Sequence, residues 1–136
     1  MSAFLRLRLL EAQLEKRTPQ QFCAVNIKET VHSPGEGLKL IQHKSTFYPD
    51  WNKCFDSHLV QGRRMQVLVM DQSDPDTRLA EMTVELEELS AICRDEPDPT
   101  NAINLALDLW PSGKLILQVK LYGSQYGEYV HYNASF

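Results

Sequence analysis

The sequence contains little that would support a secreted or metal-stabilised fold. Its three cysteines lie far apart in the chain, and no two of them have the spacing of paired zinc ligands. A scattered, odd set of cysteines argues against a disulfide framework and indicates a reduced, cytoplasmic environment. No apolar run is long enough to cross a bilayer. Near the N-terminus, Arg6 and Arg8 alternate with leucines, which indicates a strand rather than a signal peptide.

Positive charge is also scarce. The chain has 14 lysines and arginines against 18 aspartates and glutamates, which gives a net charge of −4. Proteins that bind along a nucleic-acid backbone need a basic face to neutralise the phosphates. The acidic balance therefore argues against nucleic acid as the main partner. At 136 residues with 43% hydrophobic residues, the chain fits a single globular domain.

Catalytic patterns are lacking as well. The sequence has no glycine-rich phosphate loop, no clustered pair of carboxylates and none of the characteristic segments of a protein kinase. Cys54 and His58 share the parity of one predicted strand, but four residues of rise separate them by about 13 Å. That distance is too large for a nucleophile and its base. We therefore expect no catalysis by this chain and no cofactor.

The sequence is rich in short alternating apolar segments separated by turn residues. One helix is predicted over residues 87–94, and seven or eight strands are predicted in all. The predicted strands are residues 4–9, 22–30, 37–44, 54–60, 65–71, 79–86, 102–109 and 114–122. This pattern predicts an all-β fold, an eight-stranded antiparallel β-sandwich with one short helix. We expect the domain to cover residues 1–122 and a tyrosine-rich tail to cover 123–136.

Several stretches carry a family resemblance. T-F-Y-P-D-W-N-K-C-F-D-S-H from Thr46 and L-D-L-W-P-S-G-K-L-I-L-Q-V-K-L from Leu107 resemble a C2 domain. M-S-A-F-L-R-L from Met1, F-C-A-V-N-I-K-E from Phe22 and G-R-R-M-Q-V-L-V from Gly62 are similar to the N-terminal C2 domain of novel protein kinase C, delta or theta type. The resemblance covers residues 1–121 and implies the circularly shifted type II topology. It also implies that the parent, if the chain is a fragment, is a serine/threonine kinase.

Calcium binding is one function associated with C2 domains. It needs several oxygen ligands that converge from two loops. The only acidic residues of the first predicted loop, residues 11–21, are Glu11 and Glu15. The third predicted loop contains three aspartates, Asp71, Asp74 and Asp76. We interpret these aspartates as solvated turn residues and predict no metal site. The resemblance likewise implies independence from calcium.

Phosphotyrosine recognition is a second candidate function. A phosphate dianion requires a guanidinium or ammonium group with aligned donors, and an imidazole can stack on the tyrosyl ring. Strand alternation places His58 on the face opposite Phe55 and Leu59, where it meets solvent. Arg63 follows directly after a Gln-Gly corner.

The resemblance adds a specific pocket to this reasoning. The delta-type domain binds phosphotyrosine peptides through a lysine, a threonine, a histidine and an arginine. It also has a tyrosine at the position that Val60 occupies in this chain. The matching positions, which we predict to bind phosphotyrosine, are Lys44, Thr46, His58 and Arg63.

Two tyrosines are predicted phosphorylation sites. Tyr48 lies in a Tyr-Pro turn, and Tyr129 has Tyr126 and Tyr132 three residues to either side. This aromatic frame is similar to the ligands of such a pocket, so we hypothesise that a phosphorylated tail docks on another copy of the domain. The alternative is a tail that is disordered or packed against the sandwich.

These patterns together predict a calcium-independent protein-interaction module. Its expected partners are tyrosine-phosphorylated or other signalling proteins, together with an intramolecular contact to a kinase parent that would aid targeting and autoinhibition. We expect a cytoplasmic protein that reaches membranes through its partners and binds them weakly or not at all. The alternative is a C2 domain that binds anionic phospholipid through the basic residues Lys39, Lys44, Arg63 and Arg64.

Overall fold

The computed structural model describes residues 3–16, 18, 20–35, 37–42, 46–98 and 100–123. These residues contain eight strands and one helix, which confirms the predicted fold class. The elements are β1 (Phe4–Gln13), β2 (Gln21–Ser33), β3 (Gly37–Gln42), β4 (Cys54–His58), β5 (Arg63–Asp71), β6 (Asp74–Glu85), α1 (Leu86–Arg94), β7 (Ile103–Asp108) and β8 (Lys114–Tyr122). Lys44 and the tail from residue 124, with Tyr129, lie outside the described residues.

The strands form two antiparallel sheets of four strands each. The first sheet has the order β4-β1-β8-β7, and the second has the order β3-β2-β5-β6. The first strand of the chain lies in the interior of its sheet, because β1 pairs with β4 on one side and β8 on the other. This arrangement agrees with the circularly shifted topology that the resemblance implies.

The core lies between the two sheets and consists mainly of alternate residues from the strands, together with Leu86, Leu89 and Cys93 of the helix. Arg6 and Arg8 point away from it, while the leucines beside them are buried. The same alternation holds throughout β5 and over residues 114–119 of β8, as a period of two in a half-buried strand requires. The fully buried side chains that the strands contribute to this core include Leu5, Leu7, Leu9, Val25, Met65, Val67, Val69, Leu115 and Leu117.

Two loops differ from the sequence prediction. The predicted loop 11–21 is shorter than expected, because β1 continues to Gln13 through a register shift between Leu9 and Glu11. The predicted turn at residues 74–76 lies two residues earlier, and β6 already begins at Asp74. The carboxylate of Asp71 accepts a hydrogen bond from the backbone N–H of Ser73, and this bond turns the chain at that point. Pro75 then fits in β6 because β6 is an edge strand.

The helix joins the second sheet to the first. It begins one residue before the predicted start and buries one face, formed by Leu86, Leu89, Ser90 and Cys93. Among the described residues, no helix is long and apolar enough to span a bilayer.

Candidate functional site

A pocket of about 500 Å³ opens where β4 of the first sheet approaches β2 and β5 of the second. We call it the His58 pocket. It brings together three of the four predicted phosphotyrosine-binding residues, and the fourth, Lys44, lies outside the described part of the chain. Its walls are formed by Ile27, Thr46, Phe47, Phe55, Asp56, Ser57, His58 and Arg63.

His58 is an exposed residue at the end of β4. Ser57 beside it is buried and Phe55 is half-buried against the core, so strand alternation predicted the orientation of the histidine correctly. His58 is paired across the sheet with Phe4, and the two rings meet edge to face with centroids 6.2 Å apart. An aromatic ring bound beside His58 would therefore find a second aromatic neighbour.

Arg63 is buried, with 8% of its surface exposed, and its guanidinium joins both sheets. Its Nε donates to Oε1 of Glu29 at 2.9 Å, and its Nη2 donates to the same oxygen. Its Nη1 donates to the carbonyl oxygen of His58 at 3.0 Å and to Oγ of Ser57 at 3.4 Å. The guanidinium is thus partly neutralised by a carboxylate that is not among the predicted site residues.

Glu29 could not be assigned to the site from the sequence. Its side chain reaches Arg63 because β2 and β5 pair with Glu29 opposite Arg63. These two strands are separated along the chain by β3 and β4, so their register is a tertiary property. The sequence signal was limited to a charged residue at the end of an alternating strand.

Thr46 is half-buried and takes part in a side-chain network. Its hydroxyl donates to Oδ1 of Asn26 at 2.5 Å, and Nδ2 of Asn26 donates to Oε1 of Gln66 at 3.2 Å. A hydroxyl has one proton to donate, so Thr46 must rotate away from Asn26 before it can donate to a phosphate oxygen.

The sheet surface beside His58 carries a fixed cation and aromatic rings. Arg6 forms a two-bond ion pair with Asp56, with Nε to Oδ1 at 2.9 Å and Nη2 to Oδ2 at 3.1 Å. The hydrogen bond to Asp56 raises the pKa of Arg6 above its ordinary value. The guanidinium carbon of Arg6 lies 4.9 Å from the ring centre of Tyr122, which in turn stacks on Phe4. Tyr122 is itself buried, so these contacts support Arg6 and Phe4 beside the pocket without adding Tyr122 to its accessible surface.

Other predicted residues lie away from the pocket. Val60 is exposed beyond the end of β4, and Tyr48 is also exposed, with 63% of its surface accessible. Exposure makes the Tyr48 hydroxyl accessible to a kinase, and its phosphorylation stays a prediction. The hypothesis about Tyr129 and the tail falls outside the described residues.

Two of the three aspartates of the third predicted loop, Asp71 and Asp74, accept hydrogen bonds from nearby residues. Oδ1 of Asp71 accepts hydrogen bonds from the backbone N–H and the hydroxyl of Ser73, and these bonds hold the pKa of Asp71 below its ordinary value. Oδ2 of Asp74 accepts from the hydroxyl of Thr77 at 2.7 Å. In the described ranges, no three His, Cys, Asp or Glu side chains lie close enough together to hold a metal ion.

The two four-stranded sheets in this order define a C2-type β-sandwich. A C2 domain of plant Extended Synaptotagmin 1 superposes with a TM-score of 0.51 at 16% identity, over 88% of this chain and 94% of that one. A fragment of Extended-Synaptotagmin 2 that holds an SMP domain and two C2 domains gives a TM-score of 0.50 at 18% identity, over 88% of this chain and 25% of that one. These likenesses concern the fold alone.

Sequence comparison places the chain more narrowly. The family model for the C2 domain of protein kinase C delta, epsilon, eta and theta matches residues 4–113, so the chain belongs to this family. It is 34% identical over 128 residues to protein kinase C delta type of Mus musculus, over 90% of this chain and 18% of that protein. It is 30% identical over 122 residues to Protein kinase C-like 1 of Caenorhabditis elegans, over 85% of this chain and 16% of that protein. The chain thus spans less than a fifth of these relatives.

Proposed function

We propose that this domain is a protein-interaction module that binds tyrosine-phosphorylated peptides in the His58 pocket. The observation that carries the proposal is the pocket itself. Thr46, His58 and Arg63 come from three separate segments and line one opening of about 500 Å³. We propose Lys44 as a fourth ligand, on the strength of the resemblance.

Different residues of the pocket contact the ring and the phosphate of the phosphotyrosine. The exposed imidazole of His58 stacks on the phosphotyrosyl ring, with the nearby ring of Phe4 at its edge. Arg63 binds the phosphate. A guanidinium has five N–H groups, and the bonds to Glu29, Ser57 and His58 use four of them. The remaining Nη2 proton supplies a charge-assisted hydrogen bond, and further bonds require the phosphate to displace Glu29.

The relatives supply a context for this activity. They are protein kinases C, and the chain corresponds to less than a fifth of their length. We propose that the domain serves as a calcium-independent regulatory module of a longer serine/threonine kinase and carries out no catalysis itself. It would bring the kinase to tyrosine-phosphorylated partners in the cytoplasm and restrain it through intramolecular contacts.

A phosphotyrosine-peptide array followed by fluorescence-anisotropy titration tests the proposal. We expect His58→Ala to weaken binding of the selected phosphopeptide about three- to tenfold, as loss of an aromatic contact implies. Arg63→Lys keeps the charge but loses the planar guanidinium, so it should weaken binding more than His58→Ala does. Arg78→Ala, which removes an exposed arginine from β6, is the control and should bind as the wild type does.

Thermal melting accompanies each titration, because Arg63 also holds the two sheets together. If a folded His58→Ala variant and a folded Arg63→Lys variant both retain wild-type affinity, the pocket assignment is wrong. If no phosphopeptide on the array binds the wild type, the proposed function itself is wrong.

Vesicle binding tests the membrane alternative. Two of its four basic residues are engaged within the fold, since Arg63 pairs with Glu29 and Arg64 pairs with Glu85 at 3.0 Å. Paired arginines offer less positive potential to a lipid surface. We therefore expect no co-sedimentation with phosphatidylserine vesicles, with or without calcium, and retention on the vesicles would favour the lipid-binding function.

A further inference from the structure

A second pocket, of about 390 Å³, lies beside the chain segment that follows Phe47. Three aromatic side chains and one carboxylate line it, namely Phe22, Tyr48, Trp51 and Asp50. We call it the aromatic pocket. No step of phosphopeptide binding involves these four residues.

The surrounding structure partly buries Phe22 and Trp51 and leaves most of Tyr48 exposed. Phe22 and Tyr48 have ring centroids 6.2 Å apart with their planes inclined by 53°. The indole Nε1 of Trp51 donates a hydrogen bond to the carbonyl oxygen of Gln21 at 2.9 Å, which fixes the orientation of the third ring. An indole held in this way is preorganised and loses little conformational entropy when a ligand binds. Tyr48, in contrast, must give up some side-chain freedom.

The charge around the aromatic pocket is negative. Asp50 is exposed, and its carboxylate has no hydrogen-bond or ion-pair partner in the part of the chain that the structure describes. Pro75, which also lines the pocket, lies between the exposed residues Asp74 and Asp76. A cation placed here is attracted both by the charge of the carboxylate and by the quadrupoles of the aromatic rings.

We propose that the aromatic pocket binds an N-methylated lysine side chain of a protein partner. The aromatic faces attract the ammonium charge, and Asp50 adds an ionic contact. Methyl groups lower the hydration of the ammonium, so they reduce the cost of placing it against Phe22, Pro49 and Pro75. A phosphocholine headgroup also carries a quaternary ammonium, but its phosphate would be repelled by Asp50 and the flanking aspartates.

Tryptophan fluorescence provides a direct assay. The chain has two tryptophans, and the exposed Trp110 can be replaced in Trp110→Phe so that Trp51 is the sole reporter. The ligands are N-acetyl-trimethyllysine amide and its neutral analogue, in which carbon replaces the ammonium nitrogen. We expect saturable quenching by the cation and affinity for the neutral analogue about three- to thirtyfold lower, the range of a cation–π contribution.

Matched variants separate the contributions of ring and charge. Tyr48→Leu should lose about tenfold in affinity, whereas Tyr48→Phe keeps the ring and should bind as the parent does. Asp50→Asn should weaken binding of the cation and leave the neutral analogue unaffected. The ¹⁵N–¹H indole resonance of Trp51 in the wild-type chain gives a second readout if a variant does not fold.

Three outcomes would overturn the proposal. Equal affinity for the neutral analogue would mean that the pocket recognises apolar volume and not charge. Equal or tighter binding of dodecylphosphocholine monomers would assign it to a lipid headgroup. No saturable change in either readout at millimolar trimethyllysine would mean that the pocket does not recognise this cation.

Discussion

At the scale of single residues, the environment of each side chain decides what the His58 pocket can do. His58 offers an accessible ring because its strand ends at the surface. Arg63 and Thr46, in contrast, already make hydrogen bonds within the fold. Beyond the one remaining Nη2 proton, a ligand must therefore compete with Glu29 for the guanidinium, and it must compete with Asn26 for the hydroxyl. Affinity at this pocket depends as much on those competitors as on the residues that contact the ligand.

Replacing the competitor of Arg63 should strengthen phosphopeptide binding. Glu29→Gln keeps an amide oxygen that can accept from Arg63 but removes one negative charge beside the phosphate. We expect affinity to rise about three- to tenfold, because one like-charge repulsion and one ionic competitor are lost. Fluorescence anisotropy measures the change. Glu85→Gln removes an equal charge from the exposed pair with Arg64 and should have no such effect. Unchanged or weaker binding by folded Glu29→Gln would contradict this role of Glu29.

The three cysteines should differ sharply in reactivity. Burial raises the pKa of the Cys23 thiol to about 12 and that of Cys93 to about 11, whereas Cys54 is exposed. At pH 8, below both raised values, the two buried thiols are protonated as well as inaccessible. Labelling with a disulfide reagent should therefore modify Cys54 quickly and the other two only after unfolding. The Cys54→Ser variant should show no fast phase, and a fast phase in that variant would mean that a buried thiol is accessible.

At the scale of secondary-structure elements, the hairpin between β7 and β8 shows how tightly the loops are constrained. Gly113 in this hairpin has φ = +103°, a conformation that L side chains rarely adopt. A Cβ built there would lie 2.6 Å from the backbone oxygen of Gln13. The end of β1 and this hairpin therefore pack so closely that only glycine fits.

Substitution at Gly113 should destabilise the fold beyond the conformational cost alone. Gly35→Ala is the matched control, since Gly35 also has a positive φ of +83° but no atom within 4 Å of the added Cβ. We expect Gly35→Ala to cost about 1–2 kcal/mol from backbone strain. Gly113→Ala should cost clearly more, because the Gln13 backbone must move. Urea unfolding measures both values, and equal losses would show that the contact relaxes without cost.

At the scale of the whole molecule, the core between the sheets holds the fold and leaves the edges for recognition. The buried cluster draws on both sheets and on the helix, so it contains residues from both ends of the domain. The His58 pocket and the aromatic pocket open at the edge of this cluster, and each has one core residue in its wall, Ile27 and Cys23 respectively. Changes at core positions outside these walls should consequently act on stability and not on the chemistry of either pocket.

Two leucines in strands test this separation. Leu117 is fully buried in β8, and Leu38 in β3 is 72% exposed. Leu117→Ala should lower the free energy of unfolding by about 2–5 kcal/mol, through lost burial and a residual cavity. Leu38→Ala should change it by less than about 0.5 kcal/mol. Chemical denaturation gives both values, and a large loss at Leu38 would indicate that β3 is covered in solution.

The fold was largely predictable because its strands alternate cleanly. Leu115, Leu117 and Val119 indicated a half-buried strand from their spacing, and the turn residues set most boundaries within a few positions. The Asp71 turn was misplaced, since a side-chain hydrogen bond to Ser73 turns the chain before Pro75 is reached. In the candidate site, the alternation of residues along the predicted strand correctly indicated that His58 is exposed.

The sequence by itself determined the strands, the face that each side chain occupies and the resemblance that named the candidate residues. These are local properties, fixed by a period of two and by short motifs. Only the tertiary structure decided that Arg63 is buried against Glu29, that Thr46 is bonded to Asn26 and that Phe22 joins Tyr48 and Trp51 around one pocket. Those contacts depend on the register and packing of strands distant in the chain, which spacing along one sequence does not specify.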